Sequence, residues 1–292
     1  MLNTEKEILE VCEKENKHIY DLVIEQEKLT GKKTEEEIRR KIDGIIETME
    51  NSAKANLDRV TESKFHMIDG FSKMCNDYAE EMEPLTGSFL MKTMAMAFST
   101  SEVNCAMGKI VAAPTAGSAG ILPAAVAAAK ERYGFDRETV ENGVLTGIGI
   151  GQIIGKYATF AGAEGGCQAE CGSASAMAAA ALTEMMGGTP KQCLTAAGIT
   201  ILNVLGLVCD PVAGLVQYPC AFRNASGVVN SMIATDMALA GVTSIVPFEE
   251  VCQAMKEVGD SLDKDLRETG LGGIAGTKTG KRIRKEFLSE DN

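Results

Sequence analysis

Two segments near the start of the chain carry apolar residues at helical spacing, with charged residues between them. The polar run 31–34 separates the segments, and there Thr34 is a candidate N-cap whose capping box Glu37 completes. The pattern predicts amphipathic helices that pack one face and expose the other. The apolar positions are Ile8, Leu9, Cys12, Ile19, Leu22 and Ile24 in the first segment, and Ile38, Ile42, Ile45, Ile46 and Met49 in the second.

The middle of the chain differs, because it is rich in Gly and Ala and poor in charge. Residues 1–50 hold 23 charged side chains, whereas residues 101–250 hold only 19. Asp136 and the pair Thr189–Pro190 are typical helix starts. The helix that Thr189–Pro190 begins is apolar on nearly all sides as far as Asp210–Pro211, so we expect it to be central and buried.

The remaining apolar segments also favour helices. Residues 173–186 predict an Ala- and Met-rich helix, and another is expected from Pro247 to about Leu266. The charged tail is expected either to fray or to bind a partner. Alternating β-branched runs bounded by hairpin turns are not found. The predicted fold is therefore all-α, a Gly/Ala-rich helical domain with buried central helices and long loops. We divide it into a charged amphipathic segment, residues 1–85, and the domain that carries the chemistry, residues 86–292.

Charge and cysteine content limit the classes of function. A formal net charge of −12 argues against a nucleic-acid partner. The sequence shows neither a signal peptide nor a run suited to a membrane span, so we expect a soluble, cytoplasmic protein. Nine cysteines, an odd number, argue against a disulfide framework. They are either buried thiols that behave as small apolar groups or, in part, a metal or cluster site.

Four cysteines lie in low-charge sequence punctuated by Gly and Pro. Cys167 and Cys171 stand in AEGGCQAECG, and Cys209 and Cys220 bracket CDPVAGLVQYPC. Gly and Pro form rigid loops in which backbone N–H groups can point at sulfur, as an iron–sulfur cluster requires. The spacing matches neither zinc ribbons nor ferredoxins. From spacing alone, buried structural thiols remain the favoured interpretation.

Groups for acid–base chemistry are scarce in the middle of the chain. The two histidines, His18 and His66, both precede it. Lys156 stands alone in an apolar, Gly-rich stretch, where it is either a buried base, a Schiff-base partner of pyridoxal phosphate, or a side chain that reaches the surface. The Gly-rich runs do not fit a phosphate-binding loop, and helix contacts and tight turns explain them better.

Read together, the low-charge segments resemble the alpha domain of iron–sulfur-dependent L-serine dehydratases. The resemblance runs from about Ser101 to Ala275, in the order of that family, and covers well over half of the chain. The block CDPVAGLVQYPC is its most specific part. The other matching segments are EVNCAMGKIVAAPTAGSAGILPAAV, KYATFAGAEGGCQAECGSASAMAAAA, NVLGLV and RETGLGGIA, with CAFRNA continuing the specific block.

The resemblance implies an enzyme that converts L-serine into pyruvate and ammonia with a 4Fe–4S cluster. It implies that Cys167, Cys209 and Cys220 hold this cluster and leave one iron open to the substrate. Cys171 is left out, because relatives often have another residue there. Single-chain relatives begin with a beta-type domain that supplies a His, so we expect a separate beta subunit and an oligomer. Some relatives end in a Cys that reaches the cluster, but the last Cys here is Cys252.

Two groups of residues are candidates for binding serine. The loop PTAGSAG, with Thr115, the Gly117 amide and Ser118, suits a carboxylate. Arg223 is an alternative partner for the same carboxylate. The candidate acid–base groups are Lys156 and Glu164.

Three alternatives stay open. One is a related iron–sulfur lyase that acts on cysteine or another small amino acid. Another is a pyridoxal-phosphate dehydratase that uses Lys156. The last is a helical scaffold without activity, in which the thiols are inert.

Overall fold

The computed structural model describes residues 3–290 and is helical over most of that range. No strands pair into a sheet within those residues, which confirms the predicted all-α class. We number the helices α1 to α13. Their bounds are Glu5–Glu15, Ile19–Gly31, Glu35–Lys54, Phe71–Glu81, Gly87–Cys105, Ile121–Tyr133, Arg137–Tyr157, Gly162–Gly165, Ser173–Met185, Pro190–Leu202, Cys220–Leu239, Phe248–Ser261 and Lys278–Glu290.

The helix starts predicted from capping residues are confirmed. The backbone N–H of Glu37 donates to the Thr34 hydroxyl (3.2 Å), and the Glu37 carboxylate accepts from the N–H of Thr34 (2.8 Å). Asp136 caps α7 by accepting from the N–H of Thr139 (2.9 Å). Thr189 caps α10 in the same way as Thr34 caps α3. Each of these helix starts depends only on residues within one helical turn, so the local sequence is enough to predict it.

Helix α9 forms the centre of the core, since every one of its residues is buried. It packs against α6, α7, α10 and α11. The Ala-rich sequence lets the helix axes approach closely, and Gly147 of α7 shows how closely. A Cβ atom added there would lie 2.8 Å from the carbonyl oxygen of Met177, so only glycine fits. Helix α10 is also buried, without a break from Cys193 to Ile201, as the sequence predicts.

The N-terminal amphipathic helices pack on this core with the face that the sequence predicts. Helix α2 lies on α7, and α3 lies on α5 and α6. Ile38, Ile42 and Ile46 of α3 belong to the same continuous apolar core as Ile154 of α7. The division of the chain at residue 85 stays a prediction.

Helix α10 ends earlier than the sequence predicts, at Leu202 and not near residue 208. The following residues turn back toward the segment that contains Cys167. The carbonyl of Leu207 accepts from the N–H of Gln168 (3.0 Å), and the Gln168 side chain accepts from the N–H of Gly206 (2.8 Å). Gly206 has a positive φ of 85°, which glycine adopts readily. Long-range hydrogen bonds therefore override the apolar pattern.

The C-terminal part departs from the sequence pattern in two places. Helix α12 ends at Ser261, because residues 264–266 form a 3₁₀ turn that reaches the Cys209 loop. Fraying was one expectation for the tail, but it forms α13 as far as Glu290, and residues 291 and 292 lie outside the described range. None of the helices between residues 3 and 290 is long and apolar enough to cross a bilayer.

Candidate functional site

Three separate parts of the fold bring Cys167, Cys209 and Cys220 to one region. Cys167 directly precedes a π-helical turn, Gln168–Gly172, that leads into α9. Cys209 lies in the loop after α10, and Cys220 is the first residue of α11. All three are buried, with 2%, 2% and 8% of their surface exposed.

Two of these thiols have raised pKa values. Burial raises the pKa of Cys209, and the negative charges of Glu170, Cys167 and Cys220 raise it further. Burial and the charge of Cys167 likewise raise the pKa of Cys220. Cys209 and Cys220 therefore stay protonated at neutral pH unless a cation replaces the proton. Within residues 3–290, no three His, Cys, Asp or Glu side chains converge tightly enough for a single metal ion.

Cys171 lies against Cys167 on the π-helical turn. Their Sγ atoms are 3.3 Å apart, and both side chains are buried. The hydrogen bond between the two thiols lowers the pKa of Cys167, and the positive charge of Arg223 acts in the same direction. Cys167 is thus the thiol of this region that ionises most easily.

A backbone clamp fixes the Cys209 loop. The N–H of Cys209 donates to the carbonyl of Leu266 (2.8 Å), and the N–H of Glu268 donates to the carbonyl of Cys209 (2.7 Å). The next residue, Asp210, accepts from the N–H of Ile274 (2.7 Å). The segment 266–274, which contains the sequence RETGLGGI, therefore holds Cys209 in place from the outside of the loop.

Arg223 ties the same loop to α11. It lies on the face of α11 that carries Cys220, three residues earlier. Its guanidinium donates to the carbonyl of Val208 (2.8 Å) and to the Asp210 carboxylate (2.6 Å). These partners favour a role in fixing the position of Cys209. Its binding of a substrate carboxylate stays a prediction.

The loop that contains Thr115 and Ser118 lies beside the cysteines. The 3₁₀ turn 116–118 packs against both the π-helical turn and α11. Asn224 connects this loop to Cys220, because its side-chain N–H₂ donates to the carbonyls of Gly117 (2.7 Å) and Cys220 (2.8 Å). The structure therefore places the predicted carboxylate-binding loop next to the predicted cluster cysteines.

Glu170 joins this loop to Cys209, and the sequence interpretation missed it. The Thr115 hydroxyl donates to Glu170 Oε1 (2.8 Å), and Cys209 Sγ lies 3.7 Å from Glu170 Oε2. Burial raises the pKa of this carboxyl, although the hydrogen bond from Thr115 opposes the shift. The sequence did contain a signal for Glu170, because a carboxylate is unusual in a stretch with so little charge.

Two glycines make room for Glu170. A Cβ atom on Gly117 would lie 2.8 Å from its Oε1. A Cβ atom on Gly162 would lie 2.7 Å from its Oε2 and 2.9 Å from Cys209 Sγ. Any side chain at these two positions would push the carboxylate or the thiol out of place.

The two candidate acid–base residues are exposed. Lys156 lies in the last turn of α7, where its ammonium contacts the Asn3 side chain and lies 5.2 Å from the centre of the Tyr157 ring. The structure thus supports the surface alternative for Lys156 and not the buried one. Glu164 is exposed on α8 and accepts from the Thr159 hydroxyl (2.7 Å). Proton transfer by either group stays a prediction.

The two histidines have carboxylate partners. His18 Nδ1 lies 2.7 Å from the buried carboxylate of Glu184, between α2 and α9. His66 Nδ1 lies 2.6 Å from Asp69 in the segment before α4. Both contacts fix the orientation of the imidazole rings.

Comparisons of the sequence with known proteins find relatives that match nearly the whole chain. The family model described as serine dehydratase alpha chain matches residues 14–275. The chain is 64% identical over 290 residues to "L-serine dehydratase, alpha chain" of Peptoniphilus asaccharolyticus, which covers 99% of both chains. It is 44% identical over 288 residues to "Probable L-serine dehydratase, alpha chain" of Bacillus subtilis, covering 99% of this chain and 96% of the relative. It is 32% identical over 284 residues to "L-serine dehydratase" of Helicobacter pylori, covering 93% of this chain but 61% of that protein.

Proposed function

Because the chain belongs to the serine dehydratase alpha chain family, we propose that it is the alpha subunit of an iron–sulfur enzyme that converts L-serine into pyruvate and ammonia. The observation that carries the proposal is the arrangement of Cys167, Cys209 and Cys220, three buried thiols from separate segments that contacts of Glu170, Arg223 and Asn224 hold in one region. A scaffold with inert thiols would not need the backbone clamp of residues 266–268 and the contacts of Arg223, which together fix the Cys209 loop.

The residues of this region fit a 4Fe–4S cluster bound by three thiolates. Each thiolate of such a cluster binds a different iron, so the three thiols need not converge on one point. Glycines at positions 117 and 162 leave the space beside Glu170 and Cys209 free of Cβ atoms. The positive charge of Arg223 near Cys167 and Cys220 favours the ionised thiols that a cluster requires.

When bound, such a cluster would supply one open iron as a Lewis acid toward the β-hydroxyl of serine. The polypeptide would bind and orient the substrate. Backbone N–H groups of the 116–118 turn suit the substrate carboxylate, with Thr115 and Ser118 as hydroxyl partners. Glu170 holds the Thr115 hydroxyl toward Cys209 and so fixes the loop relative to the thiols.

We further propose that a beta subunit completes the enzyme. Two relatives that match the whole chain are named alpha chains, and the Helicobacter pylori protein is longer than this chain. His18 contacts Glu184 and His66 contacts Asp69, and neither pair includes a residue of the region around the three thiols. The beta subunit is the expected source of a catalytic His.

The direct test is to prepare the chain with its beta subunit without oxygen, and to measure iron and product formation together. We expect about four irons per alpha chain and pyruvate from L-serine in preference to L-cysteine or L-threonine. Faster turnover of cysteine would instead identify the related lyase. An iron-free preparation with full activity would contradict the proposal.

Substitution of Gly162 by alanine tests the space beside Cys209. The new Cβ atom would displace Glu170 or the Cys209 sulfur, so we expect iron affinity to fall by about 10- to 100-fold while the helical circular dichroism is retained. Gly44→Ala in α3 is the matched control, because a Cβ atom there meets no atom within 4 Å. Unchanged iron binding in Gly162→Ala would show that this space is not needed.

A further inference from the structure

The paired thiols of the π-helical turn suggest chemistry beyond the dehydration of serine. The Sγ atoms of Cys167 and Cys171 are 3.3 Å apart, and only 2% and 3% of these residues are exposed. The two cysteines lie four residues apart on one turn, so they remain neighbours when distant segments move. One belongs to the proposed cluster ligands and the other does not.

We propose that Cys167 and Cys171 are an oxidation site, at which a hydroperoxide forms an intrachain disulfide when the cluster is absent. The disulfide then prevents iron from binding until it is reduced. The formation of the bond rests on the sulfur contact alone. The block to iron binding rests on the proposed function, which makes Cys167 a cluster ligand.

Only a small movement separates these thiols from a covalent bond. A disulfide has an S–S distance of about 2.0 Å, so the sulfur atoms must approach by roughly 1.3 Å. The glycines at 165 and 166 precede Cys167, and Gly172 follows Cys171. These flanking glycines let the backbone adjust as the bond forms.

A small oxidant can reach the pair through a neighbouring cavity. Cys171 lines a cavity of about 410 Å³, whose wall includes the exposed residues Asn203 and Ser226. Hydrogen peroxide is small enough to enter a space of this volume. It therefore reaches the pair from the side of Cys171.

The reaction needs no other oxidant. One sulfur of the pair attacks the O–O bond of hydrogen peroxide, which oxidises that sulfur to a sulfenic acid and releases one water. The other sulfur then attacks the oxidised one, the S–O bond breaks, the S–S bond forms, and a second water leaves. In total, two thiols and one peroxide give one disulfide and two waters. A sulfur in this bond is no longer available as a thiolate ligand.

Peptide mapping of the full-length chain tests the bond itself. The chain is stripped of iron under reducing conditions, freed of reductant, exposed to hydrogen peroxide, alkylated and digested with trypsin. The tryptic peptide 157–191 contains Cys167 and Cys171 and no other cysteine. We expect it to carry no alkyl groups after peroxide and two after reduction. Cys75→Ser, on α4, is the control and should behave like the wild type. Two alkyl groups after peroxide would overturn the proposal.

Iron loading tests the consequence. Before iron loading, oxidised and unoxidised samples alike receive ascorbate, which reduces sulfenic acids but leaves disulfides intact and does not bind thiols. We expect the wild type to load at least about tenfold less iron than before oxidation, and to recover with dithiothreitol. Cys171→Ser should load equally before and after peroxide. If the disulfide forms and the wild type still loads iron normally, the proposal that the disulfide prevents iron binding is overturned.

The ligand assignment is checked separately with Cys167→Ser that was never oxidised. If this variant loads iron fully, Cys167 is not a ligand, and the proposed function fails at this residue. The mass of peptide 157–191 does not depend on that result. The two failures can therefore be told apart.

Discussion

Replacing Cys209 with serine is expected to remove the bound iron and the serine dehydratase activity together. Cys209 is 2% exposed, is clamped by the backbone of residues 266–268 and lies 3.7 Å from Glu170. A serine hydroxyl keeps the size of the thiol but is a poor ligand for iron in a cluster. Loss of a supporting residue typically costs 10- to 100-fold in metal affinity or activity, so loss of the ligand should cost more than about 100-fold.

The measurement is iron per chain and pyruvate formation on the same anaerobic preparation with the beta subunit. Cys12→Ser is the matched control, because Cys12 is also buried, at 5% exposure, but lies on α1. That variant should keep its iron and its activity. A Cys209→Ser preparation that retained both would remove Cys209 from the proposed ligand set.

The chain purified without a beta subunit is expected to be nearly inactive, although it can hold its iron. The proposed ligand thiols all come from this chain, whereas we expect the beta subunit to supply the catalytic His. A missing general acid or base typically lowers the rate by a factor of about 100 to 10,000. Addition of the beta subunit should restore the activity by a factor in this range.

A titration of the beta subunit into the iron-loaded chain provides the measurement. Pyruvate formation should rise until the two chains are equimolar and then stay constant, while the iron content remains the same throughout. An equal amount of an unrelated acidic protein serves as the control. Robust turnover by the lone chain would contradict the expected division of roles between subunits.

Local sequence determined the parts of the structure that were predicted correctly. The capping residues Thr34, Asp136 and Thr189 mark the true starts of α3, α7 and α10, because an N-cap depends on residues within one turn. The buried faces of the amphipathic helices follow from spacing alone. The predicted end of α10 was wrong. Hydrogen bonds between residues 203–208 and Gln168 end the helix, and such long-range contacts leave no periodic pattern in the sequence.

The candidate site was predictable only in part for the same reason. The resemblance supplied Cys167, Cys209 and Cys220, and the structure brings them into interaction. Spacing did not reveal Glu170, whose importance lies in contacts with Thr115 and Cys209. For Lys156, an apolar sequence context did not distinguish burial from the exposed end of a helix.

The clamp on Cys209 has a consequence for how the enzyme is made. Its donors and acceptors come from residues 209 and 266–268, and the other two thiols belong to the entry of α9 and the start of α11. A nascent chain cannot assemble this set until nearly all of it has left the ribosome and the helices have packed. The proposed cluster would therefore be inserted only after these segments have been synthesised and brought together by folding.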